Sequence, residues 1–177
     1  MCELWHGTGI GFRHSQWPGA RDRAIALLPL YAGTRIAEIR ALDVADVRLS
    51  ARKGELHPVG KGEKSRTVPV HPKLREALAT WLAERPAHRG ADPAALFTSS
   101  PGTRMTTDAI TAAAGLDDHV TSHVLRHTFG TELTRDGVDI VTVAELMGHA
   151  SLETTRLYTR PSAADLQRAV DLLSADS

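Results

Sequence analysis

Residues 122 to 158 read SHVLRHTFGTELTRDGVDIVTVAELMGHASLETTRLY, and the interpretation of the rest of the chain depends on this stretch. Apolar residues recur in it at helical spacing, and Gly137 and Gly148 interrupt the pattern where helices would end. The stretch therefore predicts three helices in quick succession, at residues 122–135, 139–147 and 152–158.

The remainder of the chain is also mainly helical. Helical spacing predicts one helix from residue 21 to Gly33 and a second that begins after Thr34, a good N-cap. Two short strands, 55–59 and 66–70, flank the Gly60-Lys61-Gly62 turn and predict a hairpin. Further elements are expected as helices at 72–85, 107–114 and 163–173 and as a short strand at 96–98. The predicted fold class is α+β, mainly α-helical, with a small antiparallel hairpin or sheet at one edge.

The composition is typical of one soluble globular domain. The chain has 177 residues, of which 42% are hydrophobic and 24% charged, so residues 21–177 are expected to form that domain. Residues 1–20 are glycine-rich and predict an irregular leader or linker. The single cysteine, Cys2, excludes a disulfide framework, and the longest apolar run is too short to cross a bilayer. We therefore expect a cytoplasmic protein with no membrane partner.

The charge distribution is uneven although the net charge is zero. A neutral chain argues mildly against a nucleic-acid binder, because phosphate contacts usually require a basic domain. Eight basic and two acidic residues nevertheless lie between Arg48 and Arg75. A solvated hairpin would explain that cluster if it stood alone.

Four stretches resemble, in the same order, the motifs of tyrosine recombinases of the phage-integrase family. They are residues 31–42 (YAGTRIAEIRAL), 60–69 (GKGEKSRTVP), 122–129 (SHVLRHTF) and 146–158 (LMGHASLETTRLY). The resemblance covers about residues 21–170, and the last two motifs are the more specific. It implies the catalytic domain of such an enzyme, without the N-terminal core-binding domain that family members carry.

The resemblance also implies which residues perform the chemistry, position by position. The catalytic set is Arg35, Lys61, His123, Arg126, His149 and the nucleophile Tyr158. Glu38 is expected to support Arg35 from the same helix, and Lys64 and Arg66 are expected to bind DNA.

The implied reaction needs these side-chain types. Two guanidinium groups hold the non-bridging oxygens of a phosphodiester and favour the anionic form of a tyrosine, whose ordinary pKa is about 10. Imidazoles suit proton transfer near neutral pH, and the resemblance assigns Lys61 the proton for the departing 5′-oxygen. The implied product is a 3′-phosphotyrosine, formed without a metal or another cofactor. His123 and His127 have the spacing of a metal pair, but Arg126 between them would repel a cation.

Double-stranded DNA is the implied partner, with no small-molecule substrate. The last predicted helix is expected to pack into a neighbouring copy on DNA. Two alternatives remain: a truncated, non-catalytic DNA-binding remnant, and a type IB topoisomerase, which shares the phosphotyrosine chemistry but relaxes supercoils. The presence of all six catalytic positions argues against the remnant, and the Gly60-Lys61-Gly62 hairpin with the Gly148-His149 motif favours a recombinase over a topoisomerase.

Overall fold

The computed structural model describes residues 19–60, 65–85, 92–99, 102–115 and 121–148. Four predicted site residues, Lys61, Lys64, His149 and Tyr158, lie outside these ranges, as do the predicted helices at 152–158 and 163–173. Within the described part, no helix is both long and apolar enough to span a membrane.

Six α-helices, one short 3-10 helix (Val44–Asp46) and three strands make up the described part of the chain. The helices are α1 (Ala20–Ala32), α2 (Ile36–Ala41), α3 (Pro72–Glu84), α4 (Thr107–Ala113), α5 (Ser122–Arg135) and α6 (Ile140–Met147). The strands are β1 (Val47–Leu49), β2 (Gly54–Leu56) and β3 (Val68–Pro69), which form one antiparallel sheet in the order β1-β2-β3. The prediction of a mainly helical α+β fold with a small antiparallel sheet is confirmed.

Helix α1 is the centre of the core. After its first turn its residues are apolar on every side, and nearly all of them are buried. It packs against α3 and α5, and the fully buried Trp81 of α3 donates its indole N–H to the Leu96 carbonyl at 2.9 Å. A helix that is apolar all round has to be enclosed by other elements. Helices α2, α3, α4 and α5 therefore pack against α1, while α6 packs against α5. Arg126 of α5 joins the C-terminal ends of α1 and α6.

The sheet differs from the prediction in three respects. Strand β1 was not predicted, because three residues are too few to show an alternating pattern. The predicted strand at 96–98 is wrong, since isolated bridges, Asp43 with Ala95 and Thr98 with Arg104, replace it. The two hairpin strands are shorter than predicted, and beyond them a single bridge joins Val59 to Ser65. Pro58 lacks the N–H that a continuous ladder would need.

The start of α2 also differs from the prediction. Arg35, and not Thr34, is the N-cap residue. The Thr34 hydroxyl is fully buried and has no hydrogen-bond partner among the described residues, so it does not cap the helix. Arg35 therefore stands at the N-terminal end of α2, and its side chain extends from the residue that caps the helix.

Candidate active site

Arg35 and Glu38 are joined by two hydrogen bonds at the start of α2. The Arg35 backbone N–H donates to Glu38 Oε2 at 3.0 Å, and Arg35 Nη1 donates to Oε1 at 2.8 Å. The first bond satisfies a backbone donor that every helix start leaves without an intrahelical acceptor. The Glu38 side chain is 3% exposed and that of Arg35 is 39% exposed. The pair therefore has a buried anion and a guanidinium that reaches the surface.

Arg66, just before β3, binds the same carboxylate. Its Nη1 donates to Glu38 Oε1 at 3.1 Å and its Nη2 to Oε2 at 2.9 Å, the parallel arrangement that suits a guanidinium and a carboxylate. Its Nε donates to the Leu146 carbonyl at 2.8 Å. Arg66 thus connects α2 with the last turn of α6. Its assignment as a DNA-binding residue stays a prediction, and the structure gives its three nitrogens protein acceptors.

The two arginines determine the ionisation of Glu38. Burial alone would raise the pKa of this carboxyl, because a charged group loses its hydration. The hydrogen bonds from Arg66 and Arg35 and the positive charge of Arg66 outweigh that effect, so the pKa is lowered from its ordinary value. Glu38 is therefore an anion at neutral pH.

Arg126 ties α5 to the ends of two other helices. It is only 4% exposed, its Nη1 donates to the carbonyl of Gly33 at the end of α1, and its Nη2 donates to the carbonyl of Met147 at the end of α6. Carbonyls at a helix C-terminus lack intrahelical donors and carry a partial negative charge, so a cation stabilises them. Arg66 and Arg126 thus bind neighbouring carbonyls, of Leu146 and Met147, at the end of α6.

Gly33 allows this close assembly. It adopts a left-handed conformation with φ of 57°, and a Cβ built on it would lie 2.6 Å from an atom of the Phe129 ring on α5. Only a glycine permits both that backbone conformation and that approach. The turn between α1 and α2 therefore packs directly against α5. Arg35 comes two residues after Gly33 in the chain.

His123 lies in the first turn of α5 and is exposed. It precedes Arg126 by three residues, so both side chains occupy one side of the helix. Thr121 caps this helix by accepting from the Val124 N–H at 3.3 Å. In the described ranges no group of three or more His, Cys, Asp or Glu side chains is placed to hold a metal ion.

Gly148 ends α6 in a left-handed conformation with φ of 61°, and a Cβ there would lie 2.8 Å from Arg66 Nη1. We expect Gly148→Ala to lower the free energy of unfolding by roughly 2–4 kcal/mol, because backbone strain adds to displacement of the guanidinium. Gly137→Ala is the matched control, since Gly137 has φ of 81° but no atom within 4 Å of its Cβ. Gly137→Ala should lower the free energy of unfolding, measured by urea denaturation, by only about 1–2 kcal/mol. Equal losses for both variants would contradict the close contact with Arg66.

The structure thus brings together Arg35, Glu38, Arg66 and Arg126 around the end of α6, with His123 nearby along α5. The contact between Arg35 and Glu38 is local, and the sequence predicted it. No sequence signal indicates that Arg66 binds Glu38, 28 residues away, or that Arg126 binds Gly33, 93 residues away. Such contacts follow from the three-dimensional fold alone.

Comparison with known proteins identifies the family of the chain. The profile described as the phage integrase family matches residues 12–165. Tyrosine recombinase XerC of Rhodospirillum centenum is 41% identical over an alignment of 150 residues that covers 81% of this chain and 43% of that protein. XerC of Chromohalobacter salexigens is 40% identical over 79% of this chain and 48% of its own length.

Solved structures show the same likeness. The XerH site-specific recombinase in a pre-cleavage complex with its difH substrate superposes with a TM-score of 0.71 at 31% identity, over 85% of this chain and 46% of that one. The XerA recombinase gives a TM-score of 0.68 at 30% identity, over 89% and 60% of the two chains. The helical fold and its small sheet are those of a tyrosine-recombinase catalytic domain. The chain belongs to the phage integrase family, and it spans less than half the length of the two XerC relatives.

Proposed function

We propose that this chain provides the catalytic domain of a site-specific tyrosine recombinase, which cleaves and rejoins DNA through a 3′-phosphotyrosine. One observation carries the proposal. Three arginines from separate parts of the chain, Arg35, Arg66 and Arg126, converge on a buried carboxylate and the end of α6. A metal-free phosphoryl transfer requires such a set of fixed positive charges, because negative charge accumulates on the phosphorus oxygens.

Arg35 is the arginine best placed to meet a phosphate. Its Nη1 is held by Glu38, while its Nε and Nη2 have no hydrogen-bond partner in the described parts of the chain. Its guanidinium is therefore oriented from one side and open on the other. An arginine held in this way can bind two oxygens of a phosphate with little loss of side-chain entropy.

In the proposed reaction, the other catalytic residues supply and remove the protons that bond formation and cleavage require. The Tyr158 oxygen attacks phosphorus, the bond from phosphorus to the 5′-oxygen breaks, and Lys61 gives its proton to that leaving oxygen. His123 and His149 hydrogen-bond the phosphate and move the tyrosine proton. The phosphotyrosine retains the energy of the broken bond, so that the 5′-hydroxyl of a second strand can reverse the attack without ATP.

Double-stranded DNA is the proposed partner, supported by the XerH relative, whose structure contains its difH substrate. We further propose that copies of the chain assemble on DNA through the predicted C-terminal helix at residues 163–173. The apolar residues Leu166, Val170 and Leu173 share one side of that helix in the sequence pattern. This assignment comes from the sequence alone.

Covalent capture on nicked duplexes tests the proposed function. Duplexes pooled from the DNA that flanks the coding region carry a nick next to each candidate site, so that the released fragment diffuses away and traps the adduct. We expect a protein–DNA adduct on a denaturing gel in the presence of EDTA, and no relaxation of a plasmid that lacks target sites. The absence of an adduct, even after fusion to the core-binding domain of a relative, would refute the proposal, and relaxation of any plasmid would favour a topoisomerase.

A further inference from the structure

We infer that Arg66 is a positioning residue for the proposed cleavage reaction, acting through Glu38 and the end of α6 and not through DNA. The inference rests on the proposed function, because it concerns the same site. Three observations support it: the charge around Glu38, the hydrogen bonds of Arg66, and the approach of its guanidinium to Gly148.

The first observation concerns charge. Glu38 is a buried carboxylate in direct contact with Arg35, the arginine proposed to bind phosphate. If Arg35 and Glu38 stood alone, they would form a neutral pair, and the carboxylate would repel an arriving phosphate. Arg66 binds the same carboxylate at 2.9 Å, so two guanidinium cations and one anion leave a net charge of +1. Arg66 thereby neutralises Glu38 and leaves the charge of Arg35 for the phosphate.

The second observation separates the tasks of the two arginines. Each nitrogen of Arg66 donates to a protein oxygen, at distances between 2.8 and 3.1 Å, and its side chain is 11% exposed. Arg35 is more than three times as exposed and has two nitrogens without an acceptor in the described residues. Arg66 is therefore saturated within the protein, whereas Arg35 is available to a ligand.

The third observation links Arg66 to the backbone that precedes His149. The Arg66 guanidinium lies so close to Gly148 that a Cβ there would be 2.8 Å from Nη1 and 3.0 Å from Cδ. Gly148 is the residue immediately before His149, which is proposed to contact the phosphate. By binding the Leu146 carbonyl and resting on Gly148, Arg66 fixes the backbone that leads into His149 relative to α2.

The test compares Arg66→Met, Glu38→Gln and the double variant. Met preserves much of the length of the arginine side chain without its charge. We expect Arg66→Met to cleave nicked duplex about a hundredfold more slowly at saturating enzyme, the effect of a displacement of about 1 Å. Its affinity for DNA should stay within about twofold of wild type. The double variant should cleave about tenfold faster than Arg66→Met, because Glu38→Gln removes the negative charge that the loss of Arg66 leaves unneutralised beside Arg35.

Arg75→Met is the matched control. Arg75 lies on α3 and also donates to a backbone carbonyl, that of Arg52, at 2.7 Å, but it does not contact Glu38 or α6. We expect its cleavage rate to equal that of wild type. The contrary result is that Arg66→Met weakens DNA binding but cleaves at the wild-type rate once saturated. The slope of log binding constant against log salt concentration would then fall by about 0.9. In that case Arg66 is a phosphate contact and the inference is overturned. A double variant no faster than Arg66→Met overturns it as well.

Hydrogen exchange provides a measurement that does not depend on cleavage. In Arg66→Met, we expect backbone amides in residues 33–42 and 140–148 to exchange at least about tenfold faster than in wild type, because the contact that holds these segments together is lost. The exchange of backbone amides in α3 should be unchanged. Unchanged exchange at the first two segments overturns the inference whether or not the wild type cleaves DNA. If wild type forms no adduct but these segments loosen as expected, the proposed function fails and the positioning contact stands.

Discussion

Replacing Tyr158 by Phe is expected to abolish the covalent protein–DNA adduct. The substitution removes one oxygen, which is the atom that would form the bond to phosphorus, and a phenylalanine ring has no nucleophilic atom in its place. We expect adduct formation on nicked duplex to fall at least roughly a thousandfold. Losing one stabilising hydrogen-bond donor would reduce the rate by about a hundredfold to a thousandfold, and loss of the nucleophile should cost at least as much. DNA binding should be unchanged, because the ring is retained.

Tyr31→Phe is the control for this measurement. Tyr31 stacks on His71 with ring centroids 4.4 Å apart, and the phenylalanine ring preserves this stacking. The chain has two tyrosines, so this variant isolates the other hydroxyl. Adduct formation should remain near the wild-type level. An adduct that survives in Tyr158→Phe and is lost in Tyr31→Phe would show that our proposal assigns the nucleophile to the wrong tyrosine.

Replacing Arg126 by Lys is expected to reduce both the cleavage rate and the stability of the protein. A lysine keeps the positive charge but lacks the planar fork that reaches the Gly33 and Met147 carbonyls at the same time. We expect cleavage to fall about a hundredfold, because losing these contacts would displace the backbone that leads into Arg35 and His149 by about 1 Å. The free energy of unfolding should fall by about 2 kcal/mol, because a buried carbonyl loses a charged donor.

The matched control is Arg135→Lys. Arg135 lies on the same helix, α5, and its exposed guanidinium pairs with Glu132 at 2.9 Å. An exposed pair of this kind contributes less than about 1 kcal/mol, so both the rate and the urea midpoint should stay close to wild type. If Arg126→Lys behaved like Arg135→Lys, the contacts at the ends of α1 and α6 would not support the site.

The elements that the sequence predicted well are those with local signals. Helix α5 begins and ends at the predicted residues, because Thr121 caps its start and Gly137 follows its end. Helix α6 begins one residue later than predicted, since Asp139 is its N-cap and accepts from the Thr142 N–H at 2.9 Å. Strand β1 was not predicted because it is defined by its pairing with β2, and the sequence of β1 alone does not indicate that pairing.

The same distinction applies to the candidate site. The resemblance marks the positions of Arg35 and Arg126, and their catalytic roles stay predictions. The partners of Arg66 were not predictable, since nothing in the segment around it distinguishes a surface cation from one that binds a buried carboxylate. Burial and hydrogen bonding of a single side chain depend on elements that are remote in the chain, and a single sequence without relatives does not reveal them.

The arginine contacts at the end of α6 also bear on when the site is formed during folding. Arg66 reaches across 80 residues of chain to the Leu146 carbonyl, and Arg126 reaches across 93 to that of Gly33. Contacts between such distant segments require closure of long loops, which makes them slow to form compared with the turns of individual helices. The arginine cluster therefore assembles only when these distant segments have come together in the tertiary fold. If the chain cleaves DNA as we propose, its capacity for cleavage appears only with the completed tertiary structure.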